Sequence, residues 1–170
     1  MGQGSVVEFT FVNNPEYWRP EFHEEPGTWW YEYDGPFRIT IEGRVWFEES
    51  LAVLEFLRDA VPWALAGRNP KRSSSSMEYD CVETEDNPLI AFVLEADGWY
   101  VRSPWQNFEC AAGLARGELE RAVRGLLQQV VVLPGGPDDS GRTVAIRDLV
   151  PAWARGYADV RALLADEWEG

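Results

Sequence analysis

Histidine, lysine and cysteine are nearly missing from this chain: His23 and Lys71 stand alone, and the cysteines are Cys81 and Cys110. One histidine and one lysine leave little acid–base chemistry near neutral pH. His23 lies beside Phe22, Glu24 and Glu25, where neighbouring carboxylates make it a salt-bridged surface group rather than a base. Neither cysteine belongs to a Cys-x-x-Cys pair, so nothing supports a zinc site, and both read as small buried hydrophobes of a reducing compartment. The Ser73–Ser76 run has no histidine near it and reads as linker rather than nucleophile. There is no Gly-x-Gly-x-x-Gly or phosphate loop, so neither a nucleotide nor any other cofactor is expected. The longest apolar runs, Leu89–Leu94 and Val130–Leu133, are far too short to cross a bilayer. The start of the chain lacks a basic segment and an apolar core of the secretory kind, which predicts a cytoplasmic protein.

Basic residues are scarce as a class, 15 against 29 acidic ones, for a net charge of −14. That field repels nucleic acid and anionic membrane and favours a basic partner. Arginine outnumbers lysine fourteen to one, a usage that suggests a GC-rich bacterial genome. Aromatics, by contrast, are plentiful, with nine tryptophans, and 45% of residues are hydrophobic, enough for one buried core in a chain of 170 residues.

The periodicities predict a single α+β domain. Val7, Phe9 and Phe11 alternate as a strand, and so do Phe37, Ile39 and Ile41. Glu42-Gly43 turns the chain into Arg44–Phe47, with Val45 and Phe47 facing inward. Ser50 is the expected N-cap of a helix over Leu51–Ala66 that ends near Pro62 and Gly67. Met77, Tyr79 and Cys81 alternate, Asp86-Asn87-Pro88 turns, Leu89–Leu94 is apolar on both faces, and Asp97-Gly98 turns into Trp99–Ser103. These segments form an antiparallel meander. Helical spacing marks Leu119–Val130, closed by Pro134-Gly135-Gly136, and Leu149–Trp168, capped by Asp148. Thr143–Ile146 is a short strand. Residues 67–76 read as a flexible, locally basic loop, and 134–142 as a Gly/Pro-rich one. The expected architecture is one antiparallel sheet of about five to six strands, with the three helices mainly on one face. The aromatic, acidic stretch Glu16–Asp34 covers the other.

Two surfaces stand out. From Met77 to Asp97 there are seven carboxylates and no basic residue. Glu83, Glu85 and Asp86 lie on the turn after a strand, with Glu95 and Asp97 expected close by. The cluster lacks the spacing of a calcium loop and reads as a solvated acidic rim rather than a metal site. Trp99 and Trp105 flank it; a tryptophan ringed by carboxylates anchors a partner's Arg or Lys. The second surface is Glu16–Asp34, where Trp29, Trp30, Glu32 and Asp34 are the candidates to line a sugar or aromatic ligand pocket.

The acidic Met77–Asp97 meander, the Trp99–Glu109 string (Trp-Tyr-Val-Arg-Ser-Pro-Trp-Gln-Asn-Phe-Glu) and the Leu119–Val130 helix together resemble the immunity proteins of bacterial toxin systems. The resemblance implies a small, non-enzymatic domain that docks a basic protein partner through the acidic, Trp-flanked sheet face. Two alternatives stay open: a small-molecule or carbohydrate binder, even a hydrolase, using 16–34, and a structural or self-associating domain with no ligand.

Overall fold

Alternating burial along Val7–Phe11 makes the first strand, β1, whose Val7, Phe9 and Phe11 point inward. The computed structural model describes residues 6–13, 29–31, 33–137, 140–150, 156–157 and 160–161. Asp34–Ile41 (β2) and Arg44–Ala52 (β3) complete an antiparallel sheet in the order β1-β2-β3. Between β2 and β3, Glu42 and Gly43 take φ of 53° and 76°, the paired positive values of a two-residue hairpin. Val45, expected inside, is 37% exposed. The cause is a bulge: Ile39 faces Phe47 while Thr40 faces Val45, so Trp46 is an extra residue. Trp46 and Phe47 are consequently both buried, and Val45 is turned out.

β3 also runs further than the helix reading allowed. Leu51 pairs with Gly35 and Ala52 with Asp34, so Ser50 is a strand residue and no cap. Helix α1 spans Val53–Ala66 from Ala52, without a side-chain cap, and carries Pro62 inside it. The chain then passes through 67–76, which is a succession of hydrogen-bonded turns, among them Arg72 N–H to Asn69 O and Ser75 N–H to Arg72 O.

The meander forms much as its alternation predicts: Met77–Tyr79 (β4), Ile90–Glu95 (β5) and Gly98–Arg102 (β6) pair antiparallel in that order. Its hairpin turn is Ala96-Asp97, one residue earlier than expected, since Glu95 pairs with Gly98. Gly98, at φ 144°, lies against Gly113: a Cβ on Gly98 would come within 2.9 Å of the Gly113 Cα. This close approach lets Trp99 and Leu114 exchange N–H···O bonds of 2.9 and 2.8 Å.

The expectation of one sheet of five to six strands is corrected. Among the described residues there are two three-stranded sheets and a two-stranded ribbon of Pro134–Pro137 (β7) and Thr143–Ala145 (β8), the former within what composition marked as a loop. The sheets stay separate because β3 feeds directly into α1, and the helix packs against both β2 and β4 instead of letting the strands meet. Their inner faces nonetheless share one core, in which Phe9 of β1 stacks on Phe92 of β5 with ring centroids 6.0 Å apart. Helix α2, Arg116–Val131, closes this core against β1 and α1 with Leu119, Ala122, Val123, Leu126, Leu127 and Val130. Its start is held by Glu118 Oε2, which accepts the Ala115 N–H at 2.8 Å. A short helix α3, Ile146–Leu149, contains Asp148 instead of being capped by it. Most of the helix expected over Leu149–Trp168 lies outside the described residues, as do 14–28 and Glu32 of the aromatic stretch. Among the described residues no helix is long and apolar enough to cross a membrane.

Candidate functional site

The acidic turn between β4 and β5 is a built loop. Asn87 holds it from inside: its Oδ1 accepts the Cys81 N–H at 2.8 Å, and its Nδ2 donates to Cys81 O at 3.1 Å and Thr84 O at 2.8 Å. Thr84 Oγ1 in turn accepts the Asp86 N–H. Glu83, Glu85 and Asp86 are thereby presented to solvent on a constrained backbone, and neither Glu83 nor Glu85 is in an ion pair among the described residues. Trp105 reaches this loop from the segment after β6. The residue is 39% exposed and its Nε1–H donates to Asp86 Oδ2 at 2.8 Å. Ser103 Oγ accepts the Trp105 N–H, and Gln106 Oε1 accepts the Ser103 N–H. The indole is thus held in place before any partner arrives.

The remaining members of the expected surface fall elsewhere. Glu95 and Asp97 were expected near the 83–86 turn. They sit at the opposite end of β5, about 17 Å along a strand of this length. Glu95 and Glu109 both accept from Arg102, at 2.6 and 2.8 Å, and Asp97 accepts the Tyr100 hydroxyl at 2.8 Å, which pushes the Tyr100 phenol up. Trp99 is only 5% exposed and packs edge-on against Trp63, centroids 5.2 Å apart. It faces inward with Val101 opposite Leu94 and Phe92, so it is a core residue and no anchor. Glu83, Glu85, Asp86 and Trp105 form the patch.

Of the alternative ligand site, Glu32 lies outside the described residues, together with His23, Glu24 and Glu25. Trp29, Trp30 and Tyr31 form a 3₁₀ turn; Trp30 is buried beneath the Arg58 guanidinium. Asp34 does reach a cavity, of about 190 Å³, shared with Tyr31, Glu55, Cys81, Val82 and Glu83. It therefore joins one residue from each of the two surfaces that the sequence kept apart.

Glu55, absent from the sequence-based candidates, is the unusual member. It is 1% exposed, on a turn of α1 whose neighbours Val53, Leu54, Phe56 and Leu57 are all buried. The Tyr79 hydroxyl donates to its Oε2 at 3.2 Å. Burial pushes the Glu55 carboxyl above its ordinary value of 4.5, with the Tyr79 hydroxyl, the Arg58 charge and a hydrogen bond to the Val82 backbone pulling it partly back. The same hydrogen-bonded burial, with the Glu55 charge adding to it, pushes the Tyr79 phenol up. The one signal in the sequence is a lone carboxylate inside Leu-Ala-Val-Leu-Glu-Phe-Leu, Leu51–Leu57, where a helix apolar all round has nowhere to expose it.

This raised carboxyl makes stability depend on pH. As pH rises from 4.5 towards the higher folded value, the unfolded chain releases the Glu55 proton and the native state keeps it, so stability falls through that window. Glu55→Gln keeps an acceptor for Tyr79 and carries no titrating proton. Its stability curve, followed by denaturation at a series of pH values, is expected to be flatter above 4.5 and to lie above the parent protein at neutral pH. The residual slope belongs to Asp59, whose carboxyl burial also raises. Asp34, Glu83 and Cys81 face the same cavity. Parallel curves for parent and variant would refute the assignment.

Comparison with curated proteins and with solved structures finds no match to the chain. One family model matches residues 7–132, a span that runs from β1 to the residue after α2 and contains the patch and the cavity. On that match over most of its length, the chain belongs to the family described as a domain of unknown function, DUF7878.

Proposed function

We propose that the protein is a non-enzymatic, acidic protein-binding domain of the immunity or inhibitor kind, which docks a basic partner on the loop of Glu83, Glu85 and Asp86 with Trp105 as the anchor. The observation that carries this reading is the Trp105–Asp86 pair: a tryptophan 39% exposed, its indole N–H fixed by a 2.8 Å bond to a carboxylate. A tryptophan left in water and held rigid loses little entropy on association and offers its ring to an incoming cation. The unpaired Glu83 and Glu85 beside it supply the field that steers that cation in. The net charge of −14 works in the same direction.

The test is capture from an extract of the native host at low and high salt, read by mass spectrometry, with two variants as controls. Trp105→Ala is expected to weaken a captured basic protein by about 2 kcal/mol, roughly thirtyfold, chiefly through faster dissociation. Charge reversal, Glu83→Lys with Glu85→Lys, is expected to slow association and to weaken the salt dependence. A partner retained equally by both variants, or one whose capture ignores salt, sinks the proposal.

A further inference from the structure

Another concavity opens on the outer face of the meander, clear of the shared core. Ile90 and Phe92 point into that core, so Ala91 between them points out. Ala91 is the floor of an open groove of about 570 Å³, a size within the range of ligand clefts. Pro88 and Pro104 line it with rigid apolar rings, and Trp105 stands in the chain between two of its lining residues, Pro104 and Gln106. Asp86, which holds the Trp105 indole, lies two residues before Pro88. The groove therefore begins where the acidic loop ends.

Its polar groups are of two kinds, and together they describe a peptide. Ser103, only 8% exposed, lines the groove, and its Oγ accepts the Trp105 N–H. Gln106 lines it too, with its Oε1 already taken by the Ser103 N–H. What remains is donors: among the described residues, neither the Ser103 hydroxyl proton nor the Gln106 amide N–H groups meet an acceptor. Main-chain carbonyls satisfy such donors. The other groups are carboxylates. Glu78 faces Ala91 across the β4–β5 pair, about 5 Å away; it is exposed and in no ion pair among the described residues. Arg102 faces Ala91 from the opposite side, and Glu109, its side chain 76% exposed, lines the groove beside it. Arg102 does not repel a cation here, because Glu95 and Glu109 both accept from it and it lies 4.7 Å from the Tyr100 ring centroid. We infer that the groove seats an extended segment of the basic partner, its carbonyls on Ser103 and Gln106 and its cationic side chains at Glu78 and Glu109. This rests on the docking reading above and deepens it, since it gives the partner's contact segment a conformation and at least one cation beyond the one at Trp105.

The groove is tested on the full chain by an NMR titration of backbone amides with the peptide acetyl-Arg-Gly-Ser-Gly-Arg-amide. Its arginines stand about 13 Å apart when the chain is extended. The same peptide with glutamine for both arginines keeps the carbonyls and removes the charge; spermidine keeps the charge and has no carbonyl. The expected result is saturable shifts at millimolar peptide, confined to residues around 88–91 and 102–109 and absent with the glutamine peptide and with spermidine. Ala91→Leu, which fills the floor on the face away from the core, and Glu109→Gln are each expected to weaken the peptide about tenfold. Glu49→Gln, at an exposed carboxylate on β3, should leave it unchanged. Should Ala91→Leu disturb β5, the exposed Glu109→Gln still decides. No saturable shift at these residues, an equal response to spermidine or to the glutamine peptide, or undiminished binding by Glu109→Gln overturns the inference. The capture experiment separates this inference from the reading beneath it. A partner that Trp105→Ala loses but Ala91→Leu and Glu109→Gln both retain leaves the docking reading standing and overturns the groove. If capture fails while the peptide binds as expected, the docking reading falls and the groove stands as a site for an extended basic peptide.

Discussion

Replacing Phe56 by alanine is expected to cost about 3–5 kcal/mol, enough to consume much of the ~5–15 kcal/mol that holds a domain of this kind folded. Phe56 is fully buried where the two sheets meet. Its ring centroid is 5.1 Å from Phe37 in β2, 6.0 Å from Phe9 in β1, 5.5 Å from Tyr79 in β4 and 6.5 Å from Phe92 in β5. Most of these rings meet edge to face, at angles such as 75° and 85°, so none can slide into the space without breaking another contact. Tyr79 is further fixed by its bond to Glu55. The void left by the substitution would therefore persist, adding a cavity cost to the lost burial. Chemical denaturation should show the loss, and Tm should fall by roughly 6–20 °C. The sharper reading is amide exchange: protection in β2 and in β5 should fall together, because both sheets rest on the same ring. Loss confined to one sheet would mean that the two have separate cores.

That shared core explains which parts of the fold were legible. Period-two alternation marks β1, β2 and β4, an apolar run and a turn signal mark β5 and β6, and the helical period marks the buried face of α2, because each of these patterns is local. Whether neighbouring sheets join is decided by how α1 packs, and no short window contains that. The bulge at Trp46 was hidden for a related reason. Arg44–Phe47 alternates on paper, and only pairing with β2 shows that one residue is surplus. At the surface, the charge pattern marks 83–86, but nearness in sequence also suggests that Glu95 and Asp97 lie beside that turn, and the pairing of β5 with β6 puts them at the other end of the strand. Trp99 is ambiguous in sequence because tryptophan suits a core and an interface alike, and Trp99, Tyr100 and Val101 are consecutive apolar residues, all buried, so no alternation tells which way it faces. Glu55 was readable in principle. A single acid within Leu51–Leu57 announces a buried carboxylate.

The loop at 67–76 carries the second large effect, and it depends on a residue far along the chain. Its composition, Gly-Arg-Asn-Pro-Lys-Arg-Ser-Ser-Ser-Ser, is that of a free linker. Yet Arg116, at the start of α2, reaches back to it: Nη1 donates to Ser73 O at 2.8 Å, Nη2 to Trp63 O at 2.6 Å, and Nε to Glu120 Oε1 at 2.8 Å. The Trp63 carbonyl is available because the Gly67 N–H bonds to Ala64 O, tightening the end of α1, so the guanidinium caps this helix with positive charge where it is favoured. The same group lies 4.0 Å from the Trp63 ring centroid and 5.0 Å from that of Trp99, and the Trp63 Nε1–H closes the arrangement by donating to Ser75 O at 2.8 Å. Arg116 is 14% exposed in its side chain, so its bonds are only partly shared with water. Arg116→Ala is expected to cost about 2–4 kcal/mol, from two carbonyls left without the donor and a cation removed from two indoles. Arg116→Lys should recover little, since one ammonium cannot span acceptors on α1, α2 and the loop. Denaturation measures the cost, and amide exchange at Ser75, whose N–H bonds to Arg72 O, reports the loop. A loss below about 1 kcal/mol, the usual scale of an exposed ion pair, together with unchanged exchange at Ser75, would return the segment to what its composition suggested, a linker that α2 does not hold.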